Sequence, residues 1–334
     1  MLELNLNELV SELKGYMGII RKGPIAEVVH SFPQLADQMT SMEVLADFGE
    51  DAAVLSLSTN PQDDGVLLLA ADGIMSSLLD SDPYWAGYCS VLVNLHDIAA
   101  MGGVPLALVD VISVKNSEVL TKLTKGMNDA CTKFGVPIVG GHLHPDTEFN
   151  AVDVAILGIA KRSSVVYSHS AQVGDSIIFA MDLDGTVHPN SRFSWDTTQH
   201  KLPDQVRHQQ MIMADISNAG LVHSGKDISN PGILGTLGML LESSKKGAVI
   251  DLTKIPKPDE KQIQFKHWLK VYQGCGFVVT CDEKNTELII EKFNSVGLTG
   301  EVAGEITEEA KLIIQNKSES AVLFDFEKDT ITGI

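Results

Sequence analysis

The run V-L-L-L-A-A-D, Val66 to Asp72, sets six apolar residues directly before a single carboxylate. Unbroken apolar character without alternation is the pattern of a strand buried on both faces. Asp72 is therefore expected at the end of a buried strand, and an acid in that position needs a partner. After a short loop, Asp82-Pro83 reads as an N-cap followed by proline in the first helical turn, and a helix can run on until Gly102-Gly103 stops it. Asn94 and Asp97, three apart, share a face of that helix, while Leu92, Leu95 and Ala99 are free to pack on apolar neighbours. Val104-Pro105 leads into L-A-L-V-D-V-I-S, a second apolar strand. The unit is strand, helix, strand, with acids at the element ends.

At 334 residues the chain exceeds one ordinary core, so two domains of about 150 residues each are expected. Lysine plus arginine number 25 against 44 for aspartate plus glutamate, a net charge of -19 with no basic stripe, which argues against a nucleic-acid partner. Cys89, Cys131, Cys275 and Cys281 form no C-x-x-C pair and read as reduced cytosolic thiols rather than a zinc site. No apolar run approaches about 18 residues and no secretory leader opens the sequence, so the expectation is a soluble cytoplasmic protein without a membrane partner.

Residues 1 to 14 carry leucines at helical spacing, and Gly15, Gly18 and Gly23 interrupt the short basic piece that follows. That piece, Gly15 to Pro24, is expected to be a mobile arm, either solvated or folding over a phosphate through Arg21-Lys22; its spacing is not that of a P-loop. Residues 25 to 39 read as a helix with Pro33 inside it. In Asp47 to Leu55 three acids flank a glycine just before an apolar strand. Carboxylates from separate elements suit a magnesium-nucleotide better than bare metal, with Asp51 and Asp72 as the obvious pair; turn acids facing water are the plainer reading of Glu50 and Asp51.

Leu120 to Phe134 is an amphipathic helix closed by Gly135, and Val136 to Val139 a short strand before the loop G-G-H-L-H-P-D. Paired glycines after a strand, here Gly140 and Gly141, let backbone N–H groups approach a phosphate. His142 and His144, with His96, would give three imidazoles for a transition-metal hydrolase, although polar loop histidines are the simpler reading. The strand Ala151 to Ala160 ends at Lys161-Arg162, where a domain boundary fits, giving an arm over 1–40, a first domain over 41–162 and a second over 163–334. Beyond it lie a strand over Ser176 to Ala180, an aperiodic stretch from Leu183 to Leu202 and a helix over 205–218. A loop over 222–232 containing Asp227 then precedes the helix Ile233 to Ser244. Helices near 259–270 and 284–296, with strands near 276–281, 299–306 and 311–315, complete the reading.

Taken together, E-D-A-A-V, A-A-D, D-P-Y-W-A-G, N-L-H-D-I-A-A-M-G-G-V-P, G-G-H and D-I-S-x-P-G, in this order over about residues 47 to 245, resemble the aminoimidazole ribonucleotide synthetase (PurM-like) superfamily. Its branches include that purine enzyme, thiamine monophosphate kinase, selenophosphate synthetase and a hydrogenase maturation protein. The D-P-Y-W-A-G and G-G-H pieces look closest to selenophosphate synthetase, while E-D-A-A-V and I-D-L-x-x-I-P at Ile250 to Pro256 are similar to the thiamine enzyme. The reactive N-terminal Cys or selenocysteine of selenophosphate synthetase has no counterpart here. The thiamine enzyme's G-G-E-D-Y-like segment is replaced by Tyr272 to Phe277, and the hydrogenase protein's Cys tail by Ile331 to Ile334.

The resemblance implies a two-domain α/β fold, with a β-rich first domain forming a β-barrel across a homodimer and a second α/β sandwich domain. It also implies ATP with magnesium bound near the dimer interface and phosphoryl transfer to, or activation of, a small molecule. Asp51, Asp72 and Asp227 match the family's metal-binding acids, and Asn94, Asp97, Gly140, Gly141 and His142 its nucleotide region. Lys22 and Asp97 are the candidates for direct participation in the transfer. The competing reading is a nucleotide-binding regulator or maturation factor without turnover.

Overall fold

The computed structural model describes residues 4–32, 42–56, 58, 60, 64–274 and 276–334. Three short helices come first, α1 (Leu6–Lys14), α2 (Met17–Ile20) and α3 (Ile25–Ser31). They are followed by β1 (Glu43–Ala46), β2 (Ala53–Ser56), β3 (Gly65–Gly73), α4 (Ser76–Ser81), α5 (Pro83–Ala100), β4 (Val104–Ser113), α6 (Ser117–Phe134), β5 (Ile138–His144) and β6 (Ala151–Lys161). The second half contains β7 (Ser176–Met181), β8 (Thr186–His188), β9 (Ser191–Asp196), α7 (Pro203–Asn218), β10 (Ser224–Asp227), α8 (Gly232–Ser244) and β11 (Gly247–Asp251). It continues with α9 (Phe265–Trp268), β12 (Gly276–Cys281), α10 (Thr286–Ser295), β13 (Thr299–Thr307), β14 (Lys311–Asn316) and β15 (Glu319–Asp325).

The result is a mixed α/β fold with two large sheets. The first has the order β1-β2-β3-β6-β4-β5, antiparallel except for β4 beside β5, which α6 connects as a crossover. The second has the order β10-β12-β7-β13-β11-β14-β15, antiparallel except for β11 beside β14. Helix α5 lies on the first sheet as expected: Asp82 accepts from Trp85 N–H at 3.0 Å to cap its start, with Pro83 in the first turn. Helix α6 crosses α5 at two glycines. A methyl group at Gly87 would strike the carbonyl of Leu123, and one at Gly126 the carbonyl of Tyr84, so the two backbones meet with no side chain between them.

Helix α5 also serves the second half. Leu92, Leu95 and Ile98 belong to the core under the first sheet, while Ala99 and Ala100 pack with Ile178, Met213 and Phe277. In the second sheet β7 is buried throughout. Its odd-numbered residues, Ile177, Phe179 and Met181, face the α1 and α8 side, and Ile178 and Ala180 face α7 and α10.

Several expectations are corrected. The Gly15 to Pro24 arm is folded: Tyr16 and Ile19 are buried, and Gly18 sits so close to Asn230 that a side chain would not fit. Helix α3 stops at Ser31, and residues 33–39 of the expected helix lie outside the described residues, as does Cys275. Gly140, Gly141, His142 and His144 are part of the edge strand β5 rather than of a loop. The aperiodic 183–202 stretch contains the β8–β9 hairpin, anchored by Trp195, which packs edge-on against Trp268 at 5.1 Å. Ser224 to Asp227 is a strand paired with β12, and the 259–270 helix reduces to the single turn α9. No helix among the described residues is long and apolar enough to cross a membrane. Within the described residues of one chain the first sheet is open, not a closed barrel.

Candidate active site

Three aspartates from three elements face one cavity of about 240 Å³. Asp72 arrives at the end of β3, where its Oδ1 accepts the N–H of Gly73 at 2.8 Å. Asp97 projects from α5, and Asp227 ends β10, its backbone position fixed by pairing with Phe277. Arg21 and Lys22, just after α2, form the opposing cationic wall, and Arg21 reaches Met75 Sδ. Asn230 and the turn Tyr272–Gly274 complete it. Gln273 and Gly274 have φ of 71° and 87°, and this turn is held by the β9 hairpin. Tyr272 N–H donates to Phe193 O at 3.0 Å, Trp195 N–H donates to Tyr272 O at 3.2 Å, and Ser194 Oγ donates to Gln273 Oε1.

The electrostatics are those of a site short of positive charge. Burial, reinforced by the charges of Asp227, Asp72 and Asp51, holds the Asp97 carboxyl well above the usual carboxylate range. Asp227 is pushed up to about 8 by burial and then by Asp51, with Lys226 opposing. Asp72 is raised by burial against the pull of Lys22. The neighbouring His96 is lowered to about 4 by burial and is therefore neutral near pH 7; its Nδ1 has no partner and its ring lies 5.7 Å from that of Phe277.

Asp51 is close enough to influence both Asp97 and Asp227 but is not on the cavity wall. Its Oδ1 accepts from Lys226 Nζ, which also donates to Ser168 Oγ at 3.1 Å, and its Oδ2 is buried without a partner. Burial disfavours the Lys226 ammonium, but the Asp51 carboxylate, with Glu50 and Asp227 behind it, outweighs burial and keeps it charged.

An all-oxygen donor set, with one buried carboxylate oxygen of Asp51 orphaned, fits a hard divalent cation. The aspartate oxygens are not drawn into a tight cage: among the described residues the one group of three potential ligands within 4.8 Å is Asp175, His223 and Asp282. In that group His223 Nδ1 already pairs with Asp175 Oδ1 at 2.8 Å, and Asp175 Oδ2 accepts from Gln172 N–H and Thr280 Oγ1, both at 2.9 Å. An open arrangement suits magnesium, which keeps several waters and takes phosphate oxygens alongside one or two carboxylates.

The other expected residues lie elsewhere. Asn94 is fully buried and donates to Ser90 O of its own helix at 2.8 Å, with Oδ1 unpaired, so it does not share the cavity with Asp97. Gly140, Gly141 and His142 line a separate shallow depression on β5 with Asp110. His96, His142 and His144 do not converge: the first is in the buried cavity, while the other two are exposed neighbours on β5 with ring centroids 4.5 Å apart. Sequence reasoning missed Lys226, Asn230 and Gln273. Lys226 had a signal, a lone cation between small residues one position before Asp227.

Comparison with known proteins gives the family. Residues 49–160 match the family "AIR synthase related protein, N-terminal domain", and residues 172–317 match "AIR synthase related protein, C-terminal domain". An uncharacterised protein of Methanocaldococcus jannaschii is 47% identical, covering 99% of this chain and 100% of its own length. The selenide, water dikinase of Carboxydothermus hydrogenoformans is 28% identical over 76% of this chain and 72% of its own. Among solved structures, PurL of T. maritima complexed with ATP superposes with a TM-score of 0.70 at 18% identity, over 84% of this chain; the match spans 47% of PurL. The chain belongs to the AIR synthase-related family.

Proposed function

We propose that this protein binds ATP as its magnesium complex in the Asp72–Asp97–Asp227 cavity and transfers a phosphoryl group to a small-molecule acceptor. The observation that carries the reading is the convergence on one cavity of three aspartates, Asp227 buried, Asp97 half-buried and Asp72 at its exposed rim, with Arg21 and Lys22. Acids in that position repel one another until a cation joins them, and the basic wall suits the phosphates that such a cation carries. Relatives described as a dikinase and as complexed with ATP support the reading.

Magnesium, when bound with the nucleotide, supplies neutralisation of the phosphate charge. Asp51, Asp72 and Asp227 are the residues that would hold it. Lys22 places a fixed positive charge on the opposite wall, where negative charge shifts to the leaving phosphate during transfer. Asp97, biased towards its protonated form by burial and by its neighbours, is the group placed to exchange a proton with the acceptor. The hairpin-supported turn Tyr272–Gly274 fixes one wall against which the acceptor is oriented.

The working form is a homodimer. On the face of the first sheet turned away from α5, Leu69, Val104, Val109, Val111 and Ile159 are between 37% and 46% exposed, and their pairing register puts them on one side. A second copy laid on this face closes the sheet into a barrel and brings Gly140, Gly141 and His142 to the interface, where they contact nucleotide.

The test is calorimetric titration of a non-hydrolysable ATP analogue, with and without magnesium, into wild type and Asp72→Asn. Wild type is expected to bind only with magnesium, and Asp72→Asn at least about tenfold more weakly, about 1.4 kcal/mol, with an unchanged melting temperature. Equal affinity in the two proteins would sink the reading. Binding without turnover across a metabolite screen would leave a nucleotide-binding regulator.

A further inference from the structure

Two ion pairs among the described residues have both side chains less than a tenth exposed, Lys201–Asp182 and Lys226–Asp51. The first is complete. Lys201 Nζ also donates to Asp184 O and Thr197 O, and Asp182 also accepts from Gln209 and from Asp184 N–H. The second is unfinished. Lys226 has only Asp51 Oδ1 and Ser168 Oγ, and Asp51 Oδ2 is buried with nothing to accept from. A buried carboxylate oxygen left unpaired is costly, so the second pair is built for a further partner that the described residues do not supply.

The surrounding charges say what that partner is. Asp51, Asp72, Asp97 and Asp227 act on one another electrostatically, and the cations acting on the group are Lys226, Lys22 and, at Asp72, Arg21. The adjacent Glu50 is already answered by Ser168 N–H at 2.6 Å and by His169. Acids outnumber cations around the unpaired Asp51 oxygen, so the partner it lacks is a hard cation.

We propose that Lys226 is a resident cation: it permanently fills one cation position of the acidic site and turns Asp51 so that its second oxygen joins the divalent ion. The inference rests on the reading that the aspartates take magnesium. It makes Lys226 a positioning residue, and it means that the lysine does work a second metal ion would otherwise do.

Removing the ammonium while keeping most of its bulk, in Lys226→Met, should convert the lysine position into a metal position. Manganese binding to the nucleotide-free protein, measured by equilibrium dialysis, should show an additional ion in Lys226→Met relative to wild type. Its melting temperature should rise more steeply with magnesium than that of wild type. Lys226→Arg should keep the wild-type stoichiometry. If Lys226→Met folds only in millimolar magnesium, the proposal gains support, because the metal then replaces the lysine. An unchanged stoichiometry and magnesium response, or a Lys226→Met protein that no divalent ion rescues, overturns it. A gained metal ion in Lys226→Met, together with a wild type that binds no ATP analogue, would instead remove the nucleotide reading and leave the resident cation standing.

Discussion

In the seven-stranded sheet β7 buries every side chain between two layers of helices, whereas in the six-stranded sheet β4 buries Leu108 and Ile112 under α5 and leaves Val109 and Val111 open. Both strands are predominantly apolar, so hydrophobic content does not separate them. Number of covering layers does. A sheet covered twice is finished within its own chain; a sheet covered once, with apolar side chains on the bare face, is shaped for an external layer. The cavity lies where the two meet, with Asp72 from the half-covered sheet, Asp227 from the fully covered one and Asp97 on the helix that serves both.

Truncation in the doubly covered sheet should have the largest effect. Phe179→Ala removes a fully buried ring from the centre of β7 and should cost about 3–5 kcal/mol in urea unfolding. A loss below about 1 kcal/mol would mean that this sheet is not the stability core.

At the junction, pH sharpens the contrast. The Asp227 carboxyl is held at about 8 in the folded chain, against about 4 when unfolded. Between these values the folded state binds the extra proton, so metal-free stability should fall as pH rises from about 4 to about 8. Asp227→Asn should flatten that part of the profile, and thermal melts across the range would show it. A slope identical to wild type would remove Asp227 as its source.

The smallest effect on folding belongs to the bare face. Val109→Asp, at a side chain 44% exposed, should change the unfolding free energy of the chain by no more than about 0.5 kcal/mol. It should nevertheless halve the particle mass seen by light scattering. A mass unaffected by this charge would count against the second copy as the missing layer.

What could be read from the sequence follows the range of the interactions involved. Asp82-Pro83 and Gly135 act through neighbours a few residues away, and the start of α5 and the end of α6 were legible. The V-L-L-L-A-A-D run was legible as a strand but not as one buried on both faces, because β3 alternates and leaves Leu69 and Asp72 exposed. Asp72 and Asp97 were legible as acids at a strand end and on a helix face, and Asp227 as a loop acid before a helix, in a motif order that pointed to one family. Features supported from afar were not. S-G-K-D carries no alternation because its strand character comes from pairing with β12, some fifty positions on. The β8–β9 hairpin has one large anchor, Trp195, and its partner Trp268 is more distant still in the sequence. Lys226 hid inside a segment read as loop, and the glycine pair at Gly140 looked like a phosphate loop because an edge strand and a turn use the same residues.

The contact at Gly87 and Gly126 has a mechanical consequence. With no side chains between them, α5 and α6 behave as an axle seated in a bearing without play: neither can slide or roll without driving backbone into backbone. Asp97 is therefore a fixed post. Whatever adjustment a ligand demands falls on the ligand and on side chains of the wall, not on the backbone that carries Asp97.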